Sequence, residues 1–210
     1  MILSADLELF VFKMTKKSIR VLPDAKPLVQ NDIIALIAYL PSFFTADECH
    51  RICELADAET EHDGYIGKGA NNQIRQSKVC YVNPAESSKW IFDKLEHILL
   101  DLNGNYKFEL NGFHEGFQVA EYSAPGGHYT WHNDIGTGEF STRKLSMSVQ
   151  LSDVGDYEGG ELQFADSTDL APKEIGSLIV FPSFLTHRVK PVTSGKRQSM
   201  VSWVSGPAFR

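Results

Sequence analysis

Three side chains of the kinds that bind metal ions lie in the second half of the sequence. His132 and Asp134 are two positions apart, and His187 follows much later. Residues at i and i+2 of a β-strand point to the same face, so His132 and Asp134 are expected to reach one ion together. Two histidines and one carboxylate form the facial triad that holds Fe(II) and leaves coordination positions open. The pattern therefore predicts an Fe(II) site with these three residues as metal ligands and catalytic residues.

Simpler interpretations of the same residues exist. A His-x-Asp pair also arises by chance on protein surfaces, and a single His such as His187 is often a packing or surface residue. His128, four positions before His132, is excluded as a further ligand, because four extended residues span about 13 Å.

A basic residue after His187 would complete a cosubstrate site. An Fe(II) site with open positions accepts a 2-oxo acid, whose far carboxylate needs a fixed cation, and the planar fork of Arg bonds a carboxylate twice. Strand alternation places Arg197, Ser199, Val201 and Trp203 on one face and Lys196 on the other. The face with Val and Trp is predicted to point inward, which makes Arg197 the clamp and Ser199 a neighbouring hydroxyl. The alternative is a solvated Lys-Arg pair after a turn.

A second strand carries polar residues on one face. Ser146, Ser148 and Gln150 alternate with apolar residues between Leu145 and Leu151. The polar face lines the pocket if the interior is polar, and it faces water otherwise. The pattern alone does not choose between the two.

Short strands dominate the sequence from Phe108 onward, because turn residues recur at short intervals. The predicted strands cover Phe117–Tyr122, Tyr129–Ile135, Leu145–Leu151, Glu161–Phe164, Ser177–Phe181, His187–Val192 and Gln198–Val204. Helical patterns precede them, and the glycine-containing stretch 60–77 is predicted to be a loop. This order predicts an α+β, mainly β fold: a double-stranded β-helix (jelly roll, cupin-like) core with N-terminal helices packed on one sheet.

Two helices are predicted before this core. A capping box at Thr45 and Glu48 starts a helix near 46–58, with Cys49 and Cys53 as small core residues. A second helix is predicted to begin with Asn83 as its cap, Pro84 in its first turn and Glu86 in a capping box, and to stop at Asn103-Gly104. Its apolar stripe consists of Ile91, Leu95, Ile98 and Leu102.

Bulk properties fit one soluble domain. The chain has 210 residues, a net charge of −7 and three cysteines. We predict an N-terminal extension at 1–32, with a strand near Leu7–Phe12, and a catalytic domain at 33–210. The sequence contains neither an apolar run of membrane-spanning length nor a secretory signal pattern, so a cytoplasmic location without membrane partners is expected. The acidic balance argues against a nucleic-acid partner.

The residues described above resemble the prolyl-hydroxylase-like branch of the iron(II)/2-oxoglutarate oxygenases, and most closely its bacterial PKHD-type hydroxylases. The similar segments are Gln118–Tyr122, Tyr129–Asp134, Arg143–Ser146, Tyr157–Leu162 and His187–Val192, the last continuing to Arg197. The resemblance is specific from Tyr122 to Trp203, and it does not extend to the first forty residues.

The resemblance implies roles for the matching positions. His132, Asp134 and His187 match the family's iron ligands, and Arg197 matches its 2-oxoglutarate cation. Tyr122 matches the Tyr whose hydroxyl supports the same carboxylate.

Two further positions match less strictly. Gln150 falls where some relatives have another pocket residue, often a Tyr, and Trp203 matches an aromatic residue near the metal. Relatives that halogenate lack the carboxylate found here at Asp134, so hydroxylation is the implied reaction.

The expected cofactors are Fe(II), 2-oxoglutarate and O2, with ascorbate as an optional reductant. The implied substrate is a prolyl or other residue of a peptide or protein, and a free amino acid or small metabolite is the alternative. A nucleic-acid demethylase and a non-catalytic β-barrel binding module are further alternatives. Turnover of 2-oxoglutarate to succinate separates an enzyme from a binding module. The oligomeric state does not follow from the sequence.

Overall fold

The computed structural model describes residues 20–21, 37–66, 69–70, 73–165, 167 and 170–209. Most of the predicted N-terminal extension at 1–32, including its strand near Leu7–Phe12, lies outside these residues. The division into an extension and a domain at 33–210 therefore stays a prediction.

The first helix, α1 (Ala46–Asp57), begins where the sequence predicts. Thr45 caps it: its hydroxyl accepts a hydrogen bond from the backbone N–H of Glu48, while the Glu48 side chain accepts one from the backbone N–H of Thr45. This reciprocal pair satisfies two amide groups that the helix itself leaves unpaired. The predicted capping box is confirmed, and Cys49 is fully buried on the inner face of the helix.

The second helix, α2 (Lys89–Tyr106), begins later than predicted. The predicted cap at Asn83 and the capping box at Glu86 are wrong, because a hydrogen-bonded turn precedes the helix. In this turn the Ser88 hydroxyl accepts a hydrogen bond from the Ala85 N–H and donates one to the Asn83 carbonyl.

The end of α2 also lies beyond the predicted stop at Asn103-Gly104. The Asn103 side chain bonds both the N–H and the carbonyl of Phe108, and Lys107 adopts the left-handed conformation with φ 56°. This cap lets the helix run through Gly104 to Tyr106. The predicted apolar stripe is confirmed, since its residues Ile91, Leu95, Ile98 and Leu102 are all buried.

Fifteen strands are found in the described residues: β1 (Arg20–Val21), β2 (Ala38–Leu40), β3 (His62–Asp63), β4 (Tyr65–Ile66), β5 (Gly69–Ala70), β6 (Arg75–Gln76), β7 (Lys78–Val82), β8 (Phe117–Ser123), β9 (His128–His132), β10 (Arg143–Gln150), β11 (Tyr157–Gly159), β12 (Leu162–Phe164), β13 (Leu178–Pro182), β14 (His187–Val189) and β15 (Val192–Ser205). The stretch predicted as a loop over 60–77 thus contains short strands.

The strands form two antiparallel sheets and one small hairpin. The larger sheet has the order β1-β2-β13-β10-β15-β8-β7-β3, with β11 beside β15. The smaller sheet has the order β12-β14-β9-β6, and β4 pairs with β5. Non-consecutive neighbours such as β13, β10 and β15 reflect the crossovers of a jelly roll.

The two faces of the larger sheet serve different purposes. Its outer face packs on both helices, where Met147, Val180 and Met200 join the buried side chains of α1 and α2 in one apolar core. Its inner face meets the smaller sheet in smaller clusters, such as Tyr122 with Val189. The predicted fold, a β core of jelly-roll type with helices on one sheet, is confirmed.

Two strand boundaries differ from the prediction in ways that affect the site. The strand predicted at Tyr129–Ile135 ends at His132, so Asp134 lies just beyond it. The strand predicted at Gln198–Val204 starts instead at Val192, because Gly195 (φ 70°) lets the chain pass close to the Asp156 carbonyl, where a Cβ atom would lie 1.9 Å away. Neither helix of the described residues has the length and apolarity to cross a membrane.

Candidate active site

The structure brings His132, Asp134 and His187 together. Their potential ligand atoms all lie within 4.8 Å of one another, and each imidazole Nε2 is 3.8 Å from an Asp134 carboxylate oxygen. His132 and His187 face each other across the β9–β14 pair. The loop after β9 turns Asp134 back toward both rings, so the cluster forms although Asp134 lies off the strand.

Backbone hydrogen bonds fix both imidazoles in the same tautomer. The Nδ1 atom of His132 lies 2.8 Å from the Thr130 carbonyl, and that of His187 lies 2.9 Å from the Leu185 carbonyl. A carbonyl only accepts, so each Nδ1 carries the proton and each Nε2 keeps a free lone pair directed at the cluster. Such bonds orient the histidines of metal sites and fix their tautomer.

Asp134 is held from several sides. Its carboxylate Oδ2 accepts a 2.6 Å hydrogen bond from the Ser146 hydroxyl, which lies 3.0 Å from the Ser183 hydroxyl. Its backbone N–H donates to the Ser183 carbonyl at 2.9 Å, and its own carbonyl accepts from Arg143 Nη1 at 3.2 Å. Arg143 is itself held by an ion pair with Glu115. The carboxylate is therefore oriented before any ligand binds.

Burial and mutual proximity set the charges in the cluster. Burial, together with the neighbouring His187, lowers the pKa of His132 to about 3. Burial alone would raise the pKa of Asp134, but the two imidazoles and the Ser146 hydroxyl outweigh it and hold that pKa below its ordinary value. The cluster thus offers a neutral imidazole at His132 and a carboxylate at Asp134, the protonation states in which these groups bind metals.

Aromatic rings pack tightly around the two histidines. Tyr129 stacks on His132 with ring centroids 3.5 Å apart, and Phe181 meets His187 edge-on at 4.8 Å. The donor set, two imidazole nitrogens and one carboxylate oxygen, fits a divalent iron ion.

Arg197 lies in the interior, as the alternation on β15 predicts. Its side chain is 1% exposed, and its guanidinium donates to the Ser199 hydroxyl at 3.2 Å and to Gln150 Oε1 at 3.0 Å. Both partners are neutral, and within the described residues no carboxylate pairs with Arg197. A buried charge is costly unless it is paired, so this position fits an anionic ligand.

Lys196, the neighbour of Arg197, points the other way. Its side chain is 54% exposed and pairs with Glu121 at 3.0 Å. The β10 face with Ser146, Ser148 and Gln150 is buried and turned toward the site, which decides the choice that the sequence left open.

Two tyrosines stand beside Arg197. Tyr122 is its register partner on β8, and the guanidinium carbon lies 5.5 Å from the centre of the Tyr122 ring. Tyr157 is buried beside the Arg197 guanidinium, and burial raises the pKa of its hydroxyl. A buried hydroxyl beside an arginine that lacks a counter-ion among the described residues fits the second oxygen of a carboxylate. Gly160 borders them, since a Cβ there would lie 3.0 Å from Arg197 Cδ.

Trp203 is buried on the same face of β15, with the Arg143 guanidinium 3.7 Å from the centre of its ring. Trp203 thus contacts Arg143, the arginine that donates a hydrogen bond to the Asp134 carbonyl. His128 bonds the Gly126 carbonyl at 2.8 Å and is not part of the metal cluster, in agreement with its exclusion.

Arg143, Ser183 and Tyr157 were not selected as site residues from the sequence. Arg143 and Tyr157 lie in segments that carry the family resemblance, which is the signal that could have found them. Ser183 acts partly through its backbone carbonyl, for which the sequence offers no signal. The loop after Asp134 contains a short 3₁₀ helix (Gly138–Thr142).

Comparisons with known proteins agree with this geometry. Residues 117–205 match the family model described as the 2OG-Fe(II) oxygenase superfamily. A PKHD-type hydroxylase of Synechococcus sp. strain CC9902 is 41% identical over 86 residues, which are 39% of this chain and 38% of that protein. Matches to three further PKHD-type hydroxylases likewise span only 36% to 42% of the relative.

Solved structures share the fold at low identity. A prolyl-4-hydroxylase of Pseudomonas putida aligns with a TM-score of 0.63 and 20% identity, covering 96% of this chain and all of that chain. A prolyl hydroxylase of Trichoplax adhaerens, solved with a peptide fragment of the hypoxia inducible factor oxygen degradation domain, aligns at 0.65 and 16%, covering 95% and 88%.

The cofactors that accompany this family and this ligand set are Fe(II), 2-oxoglutarate and O2. In its segment 117–205, its fold and its His-Asp-His cluster, the chain is similar to the 2OG-Fe(II) oxygenase superfamily, and among its members to PKHD-type hydroxylases in sequence and to prolyl-4-hydroxylases in fold.

Proposed function

We propose that this chain is an Fe(II)- and 2-oxoglutarate-dependent dioxygenase that hydroxylates a C–H bond, releasing succinate and CO2. The observation that carries the proposal is the cluster of His132, Asp134 and His187. Arg197 supports it, because a buried guanidinium without a counter-ion on the same interior face suits the far carboxylate of 2-oxoglutarate.

Each residue of the site has a stated task in this proposal. His132, Asp134 and His187 would hold Fe(II), which supplies the redox chemistry that couples decarboxylation of 2-oxoglutarate to oxidation of a C–H bond. Arg197 would pair with the far carboxylate of 2-oxoglutarate, and its position would fix how deep the cosubstrate sits.

Four neighbouring residues would support the cosubstrate and the metal environment. The Ser199 hydroxyl and Gln150 amide hold the Arg197 guanidinium in place. Tyr122 would support the same carboxylate from the opposite strand. Trp203 would act less directly, by packing on the Arg143 guanidinium that bonds the Asp134 carbonyl.

The substrate that we propose is a prolyl or other residue of a peptide, with a free amino acid as the runner-up. The peptide complex of the Trichoplax prolyl hydroxylase supports a peptide for a protein of this fold. The net charge of −7 argues against a phosphate backbone as the partner.

Succinate release tests this function. The protein is incubated with Fe(II), ascorbate, O2 and 2-oxoglutarate, with and without candidate peptides, and succinate is measured by mass spectrometry. Succinate formation that rises with a peptide, together with a product 16 Da heavier, is the expected result. Absence of succinate from wild-type protein that binds both Fe(II) and 2-oxoglutarate contradicts it.

A further inference from the structure

A second buried arginine stands beside the metal cluster. Arg75 lies on β6, opposite Tyr129 of β9, and its side chain is only 6% exposed. Its Nε donates to the Ser77 hydroxyl at 2.8 Å, and its Nη2 donates to Gln118 Oε1 at 2.7 Å. These bonds hold the guanidinium in one orientation and leave Nη1 without a hydrogen bond to the described residues.

Arg75 has no counter-ion in the part of the chain that the structure describes. Both of its partners are neutral, and no carboxylate of the described residues lies within ion-pair distance. Arg143, which is buried to a similar degree, pairs instead with Glu115 through two nitrogens. Because burying an unpaired charge is costly, the arrangement around Arg75 indicates that its counter-ion comes from outside the chain. Arg197 is in the same situation.

The surroundings of Arg75 connect it to the reaction centre. Its guanidinium carbon lies 4.8 Å from the centre of the Tyr129 ring, and that ring stacks on His132 at 3.5 Å. Its partner Gln118 shares the inner face of β8 with Tyr122, the register partner of Arg197. Tyr122 lies four positions after Gln118, about 13 Å along the strand. The two arginines therefore lie near opposite ends of the interior between the two sheets.

We propose that Arg75 binds a carboxylate of the substrate itself, and that this carboxylate determines which molecules are hydroxylated. The inference rests on the proposed function, in which Arg197 binds the cosubstrate. The free Nη1 carries N–H groups that can donate to a carboxylate oxygen, and the guanidinium charge balances that of the carboxylate. A phosphate group would call for more cationic donors than this one nitrogen, so a carboxylate is the better fit. It belongs either to a free carboxylic acid or to an acidic residue of a peptide.

Equilibrium binding without turnover tests the proposal. The protein is loaded with Mn(II) in place of Fe(II) and with N-oxalylglycine, an unreactive analogue of 2-oxoglutarate that occupies the Arg197 site. Probes are then titrated by calorimetry in matched pairs. One arm uses N-acetylated amino acids, each as free acid and as primary amide. The other uses amidated proline-containing hexapeptides with either Glu or Gln next to the proline.

We expect at least one acid in one arm to bind about tenfold or more tightly than its neutral partner, which is about 1.4 kcal/mol. In Arg75→Gln, the ratio of the two dissociation constants, neutral probe over acid, should fall to about one. Arg188→Gln is the matched control, because Arg188 also bonds a glutamine and stacks on an aromatic ring, Trp131. Arg188 follows His187 on β14, so strand alternation points its side chain away from the metal cluster. Arg188→Gln should keep the preference.

Each result has one meaning. If N-oxalylglycine does not bind the wild-type protein, the proposed function fails and the inference fails with it. If it binds, but no acid is preferred in either arm, or the preference survives in Arg75→Gln, only the inference is overturned. Arg75→Lys covers the case in which Arg75→Gln does not fold: it keeps the charge, so the preference should remain while affinity falls, and unchanged affinity overturns the pairing.

Discussion

Replacing Arg197 with Ala removes the cation that we assign to the far carboxylate of 2-oxoglutarate. In the wild-type protein this guanidinium is almost fully shielded from water and is held by Ser199 and Gln150. Neither partner can replace its charge. In Arg197→Ala the carboxylate of a bound cosubstrate would be buried with a hydroxyl and an amide but without a cation.

The size of the loss follows from that burial. Truncating one member of a buried charge pair costs about 2 to 5 kcal/mol, much of it the cost of the remaining unpaired charge. At about 1.4 kcal/mol per factor of ten, the dissociation constant for 2-oxoglutarate should increase by a factor of between about 30 and a few thousand. Lys196→Ala is the control, since Lys196 is half-exposed and pairs with Glu121 on the outer face. It should change the dissociation constant little.

The assay compares two 2-oxo acids by calorimetry on the Mn(II)-loaded protein. Wild-type protein should prefer 2-oxoglutarate over 2-oxopentanoate, which lacks the far carboxylate, and Arg197→Ala should lose this preference while still binding 2-oxopentanoate. Retention of the preference in Arg197→Ala, or its loss in Lys196→Ala, would refute the assignment of the clamp. Arg197→Lys keeps the charge and should show an intermediate preference. Such a result would show that the loss in Arg197→Ala comes from the missing charge and not from a folding defect.

Three other variants probe the metal cluster and the fold. His132→Ala should abolish Fe(II) binding, measured by calorimetry under anaerobic conditions, with an unchanged circular dichroism spectrum; retained binding would remove His132 from the ligands. Ser146→Ala should weaken metal affinity by about 10- to 100-fold, the usual effect of losing a partner that orients a ligand such as Asp134; an unchanged affinity would show that this hydrogen bond does not matter. Thr45→Ala should lower the free energy of unfolding in urea by about 1 kcal/mol through loss of the helix cap, without changing metal affinity.

The strand alternation of the sequence was sufficient to predict which face of β15 points inward. Arg197 and Lys196 separate as the two-residue period requires, because β15 has one face on the helix core and the other on the site. The position of Asp134 could not be predicted in the same way. It lies past the end of β9, where the Ser183 carbonyl and Arg143 hold the chain, and contacts between such distant segments leave no local pattern.

The sequence did not allow us to predict where α2 begins or that Arg75 is buried, and the reasons are related. Asn83, Pro84 and Glu86 have the types and spacing of a helix start, but Ser88 forms a competing turn with the same backbone groups. Arg75 lies in a glycine-containing stretch that predicts a loop, and solvated arginines are common in loops. Only the pairing of β6 with β9 shows that it is buried beside Tyr129.

The separation between the stabilising core and the polar interior explains why these site variants should fold. The apolar core lies between the helices and the outer face of the larger sheet, where Leu95, Met147 and Met200 pack together. The interior between the two sheets contains Arg75 of the smaller sheet and Arg197 of the larger one. Neither has a counter-ion among the described residues, so these buried charges cost stability in the free protein. Ligands that supply the missing carboxylates should therefore raise the free energy of unfolding as they bind. Cosubstrate and substrate would each stabilise the protein through a different arginine.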